Sequence, residues 1–457
     1  MKSRALFAVL AIGAIAGVVW LLLRPPAAPS EDSSVKGGDR QEVTLKFTYW
    51  GSVEEKNAIE NALSRFSEAY PWIKVEATQL PNSDFNTKML SLSASNDEPD
   101  ISYMTTELGE VFARNHKFVN LLDFLERDPE LKKEDFLDYL WYYSSPDFAW
   151  GISTAAESFG LFYRRDLLGQ AGVSPPPAKA EEAWTWEQFV EAAQKLTLDR
   201  NGRNAADPLF DSNHIVRYGV MFETWVEPLN NFIFSNGGEW ISPDGRQFTL
   251  NSPQTAEAIQ KLADLTNVYH VAPSPYASKQ LPSLNVALQA GLTAMIIDGQ
   301  WINLDLGKAK TDYDIGVLPK LKKSVTVGLS GATVIYQSSK HPEEAWLLYK
   351  WLSDPNKAIE LYADGLWMPV FKQWYTDPAL IDRWVNANPA AHPPGFKDAM
   401  MRQLLENGIP SVGYYLHNQK EIYPEVTAGL LPVLQGEKSA QEALDDIAEQ
   451  VGKYFSQ

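Results

Sequence analysis

Hydrophobic and polar positions alternate over the stretch VTLKFTYW, residues 43–50, and this period of two predicts a β-strand that ends at Trp50. The apolar positions that follow recur at helical spacing over 53–70 and stop before Pro71. A second strand is predicted over 73–77. Strand, helix and strand in this order indicate the start of a βαβ arrangement.

Further helices are announced by their first residues. Thr185 with Gln188, and Ser439 with Glu442, have the spacing of a capping box, and a Ser-Pro pair at 252–253 is typical of a helix start. The short apolar segments RYGVMF, TAMII and DIGVLP predict strands between these helices. The chain has 457 residues, more than one hydrophobic core sustains. We therefore predict an α/β fold with two lobes and mainly parallel sheets.

The first 40 residues have a targeting pattern instead. Lys2 and Arg4 precede an uncharged apolar run over 5–23, and a Pro-, Ser- and charge-rich stretch follows. The run is long enough to cross a bilayer as a helix, yet Ala28-Pro29-Ser30 offers small residues for a signal peptidase. Residues 1–24 are thus predicted as a membrane anchor or a signal peptide, and 25–41 as a tether. Either outcome places the folded part outside the cytoplasm.

Composition excludes several classes of function. The formal net charge of −18 repels phosphate backbones, so nucleic acid is not an expected partner. The chain has no cysteine, which removes disulfides, thiolate metal sites and lipid attachment through cysteine. Aromatic residues are abundant, with 15 Trp, 19 Tyr and 20 Phe. Aromatic faces suit flat, hydroxylated ligands, although most such rings in any protein belong to the core.

Catalytic patterns are weak. No two of the six histidines have the spacing of a zinc-binding helix, and neither a nucleophile elbow nor a phosphate-binding loop is present in the sequence. The stretch DRNGRNAAD, residues 199–207, has calcium-like side chains, but Gly202 comes too early for an EF-hand loop. We therefore expect no enzyme, no metal site and no cofactor.

Eight motifs, in order along the chain, resemble those of the extracellular solute-binding proteins of carbohydrate ABC transporters, the group that includes maltose-binding protein. They are KFTYWGS, RFSEAYPWIKVEA, EPDISYM, ESFGLFYRRDLLGQAG, TWEQFVEAAQKLT, AMIIDGQW, SSKHPEEAWLLYKWL and GLWMP. The resemblance covers about residues 41–457. It implies the type II periplasmic-binding-protein fold: two lobes joined by a hinge, a sugar in the cleft between them and delivery to an ABC permease. We expect a monomer.

The resemblance, with the predicted elements, divides the chain into segments. The expected segments are 42–155 for the first part of lobe 1, 156–330 for the first part of lobe 2, 331–360 for a return to lobe 1, and 361–457 for a helical part that completes lobe 2.

The end of the segment GLTAMIIDGQW is the first candidate site. In relatives the tryptophan that closes this motif stacks on a pyranose face, and that position here is Trp301. Asp298 beside it would bind sugar hydroxyls. The alternatives are that Trp301 belongs to the core and that Asp298 caps the next helix through the N–H groups of Gln300 and Trp301.

The resemblance carries two further acids into the candidate site. Glu107 lies a few residues after PDI, where relatives place a sugar-binding acid, and the longer Glu replaces the commoner Asp. Glu157 opens ESFGLFY at the predicted crossover between lobes, where it would bind ligand hydroxyls or fix the hinge.

Three other tryptophans are candidates for the cleft. Trp50 ends the first strand, Trp225 precedes NGG by a dozen residues, and Trp367 lies in GLWMP at the predicted rim. Each has core packing as its alternative. Tyr414 and Tyr415 are weaker candidates.

Three alternative functions remain open. A binding protein for ferric ion would use adjacent tyrosines, and Tyr142-Tyr143 and Tyr414-Tyr415 fit this superficially. Peptides, polyamines or other solutes are a second alternative. A secreted glycosidase, which would need two carboxyl groups across the scissile bond, is the third.

Overall fold

The computed structural model describes residues 41–243 and 245–455. The predicted anchor or signal peptide, 1–24, and the tether up to residue 40 lie outside the described residues. Within the described part of the chain, no helix combines the length and apolar character needed to cross a membrane.

The described residues form strands that belong to two large sheets and one small one. They are β1 (Val43–Trp50), β2 (Ile73–Leu80), β3 (Ile101–Met104), β4 (Trp141–Ser145), β5 (Phe148–Ser153), β6 (Phe159–Arg164), β7 (Leu198–Asp199), β8 (Ile215–Phe222), β9 (Thr293–Gly299), β10 (Tyr313–Gly316), β11 (Thr326–Gly328), β12 (Ala332–Ile335) and β13 (Gly408–Pro410).

Helices occur between these strands and dominate the C-terminal part. The α-helices are α1 (Val53–Ala69), α2 (Asn82–Ala94), α3 (Thr106–Arg114), α4 (Leu121–Arg127), α5 (Arg165–Ala171), α6 (Trp186–Leu196), α7 (Val226–Ser235), α8 (Pro253–Asn267), α9 (Pro275–Ser278), α10 (Leu284–Gln289), α11 (Asn303–Lys308), α12 (Pro342–Ser353), α13 (Ile359–Ala363), α14 (Gln373–Thr376), α15 (Pro378–Trp384), α16 (Gln403–Asn407), α17 (Gln419–Leu434) and α18 (Ala440–Val451). A π-helix, Lys397–Arg402, leads into α16.

The strand end and the helix starts predicted from the sequence are confirmed. β1 ends at Trp50, and α1 begins behind Ser52. Capping boxes form at Thr185 with Gln188 and at Ser439 with Glu442. Each cap satisfies N–H groups that the first helical turn leaves without partners.

The two large sheets have mixed strand directions. The first has the order β2-β1-β3-β12-β5-β4, and the second has the order β10-β6-β9-β8-β7. Within them only β1–β2, β1–β3 and β8–β9 are parallel pairs. The α/β class is confirmed, but the prediction of mainly parallel sheets is wrong. β4 and β5 form a hairpin, and β12 arrives from a distant part of the chain in the opposite direction.

The second sheet is packed on both faces, as β6 illustrates. Phe159, Leu161 and Tyr163 belong to one hydrophobic cluster, whereas Phe162 belongs to the other. Successive side chains of a strand point to opposite faces, so this sheet separates two cores. Residues of α13–α15 join the cluster of the first sheet, and α17 and α18 join the second cluster. The lobe boundaries drawn from the sequence stay a prediction.

The chain crosses between the sheets at three neighbouring places. The Glu157 N–H donates to the Leu329 carbonyl at 3.0 Å, and the Leu329 N–H donates back at 3.1 Å. Beside this pair, β11 and β13 form a short parallel ladder. The predicted crossovers near Glu157 and Ser330 are therefore in contact with each other, and 408–413 adds a third segment.

Candidate functional site

A cavity of about 710 Å³ opens where strands of both large sheets end. Its walls include Trp50 at the end of β1, Glu107 after β3, Trp225 after β8 and Trp301 after β9. The crossover residue Glu157 lies in the same wall. Ligands of open α/β sheets bind outside the carboxyl ends of strands, and this cavity, hereafter the binding cavity, has that position.

Five of the seven residues predicted for the site thus line one space. They come from positions 50 to 301 of the sequence, and the fold brings them together. The role of each in binding stays a prediction.

Trp301 is half-buried and lies in the first turn after β9. Its indole meets the Phe159 ring edge-on at a centroid distance of 5.6 Å. A Cβ at Gly299 would overlap this indole, so glycine lets the ring fold back over the strand end. The ring therefore has a fixed position in the cavity wall.

Trp50, on the side of the first sheet, is also held by aromatic neighbours and a nearby glycine. Its ring meets Phe85 and Tyr103 edge-on, at 4.9 and 5.2 Å. A Cβ at Gly331 would overlap the indole, so only a glycine at that crossover position leaves room for it. Tryptophan paired with glycine is thus a feature of both walls.

Trp225 differs from these two rings because it is 41% exposed. It occupies the N-cap position of α7 and lies 6.1 Å from the Phe159 ring. An exposed indole at the mouth of a cavity offers a free face to a ligand.

Trp367 is only 5% exposed and packs on Tyr103 and Tyr362. It does not line the binding cavity but a small recess of about 30 Å³ beside it, together with Trp50, Glu55 and Glu157. Trp367 is therefore a buried ring beside the cavity rather than an exposed one at its rim, and its role in binding stays a prediction.

Asp298 is not among the residues that line the binding cavity. Its carboxylate accepts a hydrogen bond of 2.8 Å from the Gly299 N–H, whereas the Gln300 N–H donates to the Ser158 carbonyl. Of the two N–H groups that the helix-cap alternative named, that of Gln300 is therefore already used. Burial raises the pKa of Asp298 to about 7.

Glu157 and Glu55 both face the recess. Burial raises the pKa of Glu157 to about 8, and the Glu55 carboxyl adds to that rise. Burial also raises the pKa of Glu55 to about 7, against a hydrogen bond from the Ser52 N–H. Two carboxyls in one poorly solvated space favour retention of a proton.

Glu107 lies in the first turn of α3, opposite a buried acid that the sequence did not indicate. Glu227, on α7, accepts hydrogen bonds from Ser411 Oγ at 2.5 Å and Asn230 Nδ2 at 3.0 Å. Burial raises the pKa of Glu227 to about 7 despite these bonds, and Glu107 adds to the rise.

Amide and hydroxyl groups complete the wall. Gln419, 3% exposed, donates from Nε2 to two backbone carbonyls, while its Oε1 has no hydrogen-bond partner among the described residues. Tyr423 also lines the cavity, and its hydroxyl likewise lacks a partner within the described chain. Asn82 and Asn86 add side-chain amides.

Sequence reasoning missed Glu55, Glu227 and Gln419. Glu55 has the ordinary role of a capping-box residue, which concealed it. Glu227 was detectable as the one ionisable residue of the mostly apolar helix VEPLNNFIFS, since a buried charge is a functional signal.

The tyrosines proposed for ferric ion are placed unfavourably for it. Tyr142 and Tyr414 stack at 4.7 Å, and the Tyr142 hydroxyl donates to the Ser330 carbonyl. Burial holds the pKa of both phenols above the usual value, which disfavours the phenolate a ferric site needs. Within residues 41–243 and 245–455, no group of three His, Cys, Asp or Glu side chains could hold a metal ion.

Two α/β sheets joined by adjacent crossovers, with an aromatic and acidic cavity at their strand ends, define the class of two-lobed binding proteins. The chain belongs to the bacterial extracellular solute-binding protein family, whose model matches residues 50–358. This confirms the family that the motifs indicated.

Curated relatives have low sequence identity to this chain, but the similarity extends over about two thirds of each chain. A putative ABC transporter periplasmic-binding protein, YcjN of Escherichia coli, is 24% identical over 330 residues, which is 68% of each chain. The arabinooligosaccharide-binding protein of Bacillus subtilis is 24% identical over 329 residues, 69% of this chain and 70% of the relative.

Solved structures confirm the predicted fold. An ABC substrate-binding protein from Listeria monocytogenes in complex with cycloalternan superposes with a TM-score of 0.78 at 21% identity, over 91% of this chain and 99% of the other. Maltose-bound MalE3 of T. maritima gives 0.72 at 18% identity, over 90% and 100%.

Proposed function

We propose that this chain captures a carbohydrate in the binding cavity outside the cytoplasm and delivers it to an ABC permease. The observation that carries the proposal is the set of residues that line the binding cavity. Three tryptophans and four glutamates from both sheets and the crossover face a space of about 710 Å³. That volume is within the range of small-molecule sites.

This combination fits the surface of a sugar. A pyranose presents C–H groups to an aromatic ring, and its hydroxyls bind carboxylate and amide groups at the ring's edge. Trp225 and Trp301 supply rings on the second-sheet side, and Trp50 supplies one on the first. Gln419 and the two asparagines, Asn82 and Asn86, supply amides. An arabinooligosaccharide-binding protein is among the relatives, and structural neighbours are solved with cycloalternan or maltose, which supports the same ligand class.

The alternative solutes fit less well. The buried, protonated tyrosines oppose a ferric site, and they would leave the cavity tryptophans without a role. A glycosidase would break the family's pattern of solute binding without chemistry. Polyamines remain a rival, because acids and aromatic rings also bind organic cations.

A thermal-shift screen tests the proposal. The full-length chain, kept in mild detergent because of the apolar run at 5–23, is heated with mono- and oligosaccharides, ferric ion, spermidine or peptides. A ligand that binds only the folded state raises the melting temperature by mass action. We expect at least one saccharide to do so. A shift with ferric ion, spermidine or peptides and none with any saccharide would overturn the proposal.

Delivery to a permease requires a conformational signal. The crossovers at Glu157 and Leu329 are joined by two backbone hydrogen bonds, and rotation about them would close the cavity. Small-angle scattering should then show a smaller radius of gyration with a saturating saccharide. An unchanged radius would count against closure.

We further propose that residues 1–24 retain the protein at the outer face of the membrane, as a monomer, with 25–41 as the tether. The length of the apolar run and the absence of cysteine support retention. N-terminal sequencing of the native protein decides between anchor and signal peptide. A mature chain that starts at Glu31 would leave export intact and refute the anchor.

A further inference from the structure

The charges around the binding cavity are unbalanced. Four glutamates line it, at positions 55, 107, 157 and 227, and Lys420 is the single cationic side chain among the described lining residues. A neutral saccharide needs acceptors, but it does not need this excess of acid.

These acids also lack partners of opposite charge. Within the described residues, no Lys, Arg or His lies within 4.0 Å of any of the four carboxylates, since none appears in an ion pair. Two buried acids elsewhere are paired with cations: Glu98 binds Lys117 and Asp128 binds Lys350, both at less than 3 Å. The cavity therefore departs from the rule that buried charges are compensated.

The recess beside the cavity concentrates this imbalance. Glu55 and Glu157 line it with three aromatic rings, those of Trp50, Tyr103 and Trp367, and its lining has no cationic residue. It shares Trp50 and both acids with the binding cavity and so adjoins it. Its volume of about 30 Å³ admits a single water-sized group and excludes a sugar ring.

An ammonium group has the matching size, charge and chemistry. It donates charge-assisted hydrogen bonds to two carboxylates and is attracted to the faces of surrounding aromatic rings. We propose that the captured saccharide is an amino sugar, whose ring lies in the binding cavity and whose protonated amine enters the recess between Glu55 and Glu157. This inference rests on the proposed carbohydrate function and narrows its ligand.

Proton release gives a signature of this arrangement. Without ligand, burial raises the pKa of Glu55 to about 7, and the Asp305 carboxyl outside the recess lining adds to that rise. Burial and repulsion from Glu55 raise the pKa of Glu157 to about 8. An ammonium between them lowers both values and drives out a bound proton. A neutral sugar has no such effect. The charged groups of the recess lining are these two acids alone.

Matched ligands form the first test. Calorimetric titration of the full-length chain near neutral pH compares glucosamine and chitosan oligomers with their N-acetylated forms, with uncharged mono- and disaccharides, and with spermidine. We expect amines on a sugar to bind about ten-fold or more tightly than the acetylated partners. Titration in buffers of different ionisation enthalpy should show proton release with the amino sugars only.

The outcomes separate the two proposals. Equal affinity for amino, acetylated and neutral sugars, without proton release, would overturn the amine inference and leave carbohydrate capture standing. Binding of spermidine with no binding of any saccharide would overturn both.

Substitutions locate the amine. Glu157→Gln and, separately, Glu55→Gln should each weaken amino-sugar binding by about ten- to a hundred-fold and reduce proton release, because each removes one of the two titrating groups. Neutral-sugar affinity should fall less than amino-sugar affinity, because an amide still forms hydrogen bonds with a hydroxyl group but has no charge to attract an ammonium group. Glu60→Gln, on the same helix as Glu55 but exposed and outside the cavity, is the matched control. An amine preference that survives both substitutions in folded protein would refute the placement.

Discussion

Two cavities of comparable size differ in how their charges are used. The binding cavity has a volume of about 710 Å³, and a second one on the side of the first sheet has about 530 Å³. In the second, hereafter the charged cavity, three lysines (350, 357 and 372) face four acids (130, 134, 135 and 354), and no tryptophan lines it.

The charged cavity has cations beside its acids, and two of its three lysines form ion pairs. Lys350 binds Asp128 and Glu130 at 2.9 Å each, and Lys372 binds Asp138 at 2.7 Å. The acids of the binding cavity have no ion pairs of this kind among the described residues, and two of its rings, Trp50 and Trp301, lie against glycines. The comparison teaches that volume alone does not mark a site. Uncompensated acids beside ordered rings do, because only a ligand completes them.

The largest expected effect comes from Trp301→Ala. Loss of the ring removes a stacking face, and by analogy with aromatic hot spots we expect about 2–4 kcal/mol, or roughly thirty- to a thousand-fold in the dissociation constant. Calorimetric titration with the best saccharide measures it, with a melting curve alongside. Gln373→Ala, in the charged cavity, is the control and should leave affinity unchanged. Intact affinity with a markedly lower melting point would show that Trp301 is a core residue.

Lys350→Ala should lower stability and leave saccharide affinity unchanged, the reverse of the effect expected for Trp301→Ala. It leaves Asp128, whose side chain is 3% exposed, without its cation, so we expect a loss of about 1–3 kcal/mol in the free energy of unfolding. Saccharide affinity should not change. Chemical denaturation measures the loss, and Lys372→Ala, which breaks an exposed pair, should cost less than about 1 kcal/mol. A drop in affinity for Lys350→Ala would link the two cavities.

Gly331→Ala tests how the ring on the other wall is held. The added methyl overlaps the Trp50 indole and must displace it, so we expect a loss of about 1–2 kcal/mol in binding, roughly five- to thirty-fold. The Trp50 displacement should also change the tryptophan fluorescence spectrum. Gly169→Ala, where an added methyl meets nothing, is the control. Unchanged affinity would remove Trp50 from the ligand's contacts.

The smallest effect is a dependence of stability on pH. The raised pKa values, about 8 for Glu157 and about 7 for Glu55, mean that the folded state keeps protons that the unfolded state releases at lower pH. The stabilising contribution is complete below the unfolded pKa and is lost as pH rises through the folded values. Between about pH 5 and pH 8.5 the ligand-free melting temperature should therefore fall from this source.

Glu157→Gln should flatten this pH profile, because an amide does not titrate. Glu60→Gln should keep the slope of the unmodified chain. An equal slope in both variants would mean that the fall arises from other groups.

The elements of the fold followed from local patterns, because strand period, helix caps and prolines act over a few residues. Strand directions did not, since the sequence near β12 says nothing about whether it enters the sheet beside β3 in parallel or antiparallel orientation. Pairing across more than 200 residues depends on packing that no local pattern contains.

The candidate site likewise has residues that local motifs predicted and residues whose placement depends on packing. Trp50, Glu107, Glu157, Trp225 and Trp301 were predicted from the motifs that the chain shares with sugar-binding relatives, and all five line the binding cavity. Trp367 has a similar motif but turns inward, since its ring fills the space beside Tyr103 and Tyr362.

The missed residues lie on helices and outside the motif positions that were used to predict the site. Glu227 and Gln419 are distant in sequence, yet Ser411 binds the first and Gly413 accepts from the second. The third crossover segment, 408–413, brings them to the cavity. A single sequence does not reveal that this segment exists.

Whether the binding cavity holds the saccharide is tested most directly by a crystal structure of the full-length chain with the saccharide that raises its melting temperature most. We expect the saccharide in the binding cavity, with one ring on Trp301 and a polar group within hydrogen-bond distance of Glu157. A saccharide bound in the charged cavity, or on the outer surface with the binding cavity empty, would contradict it.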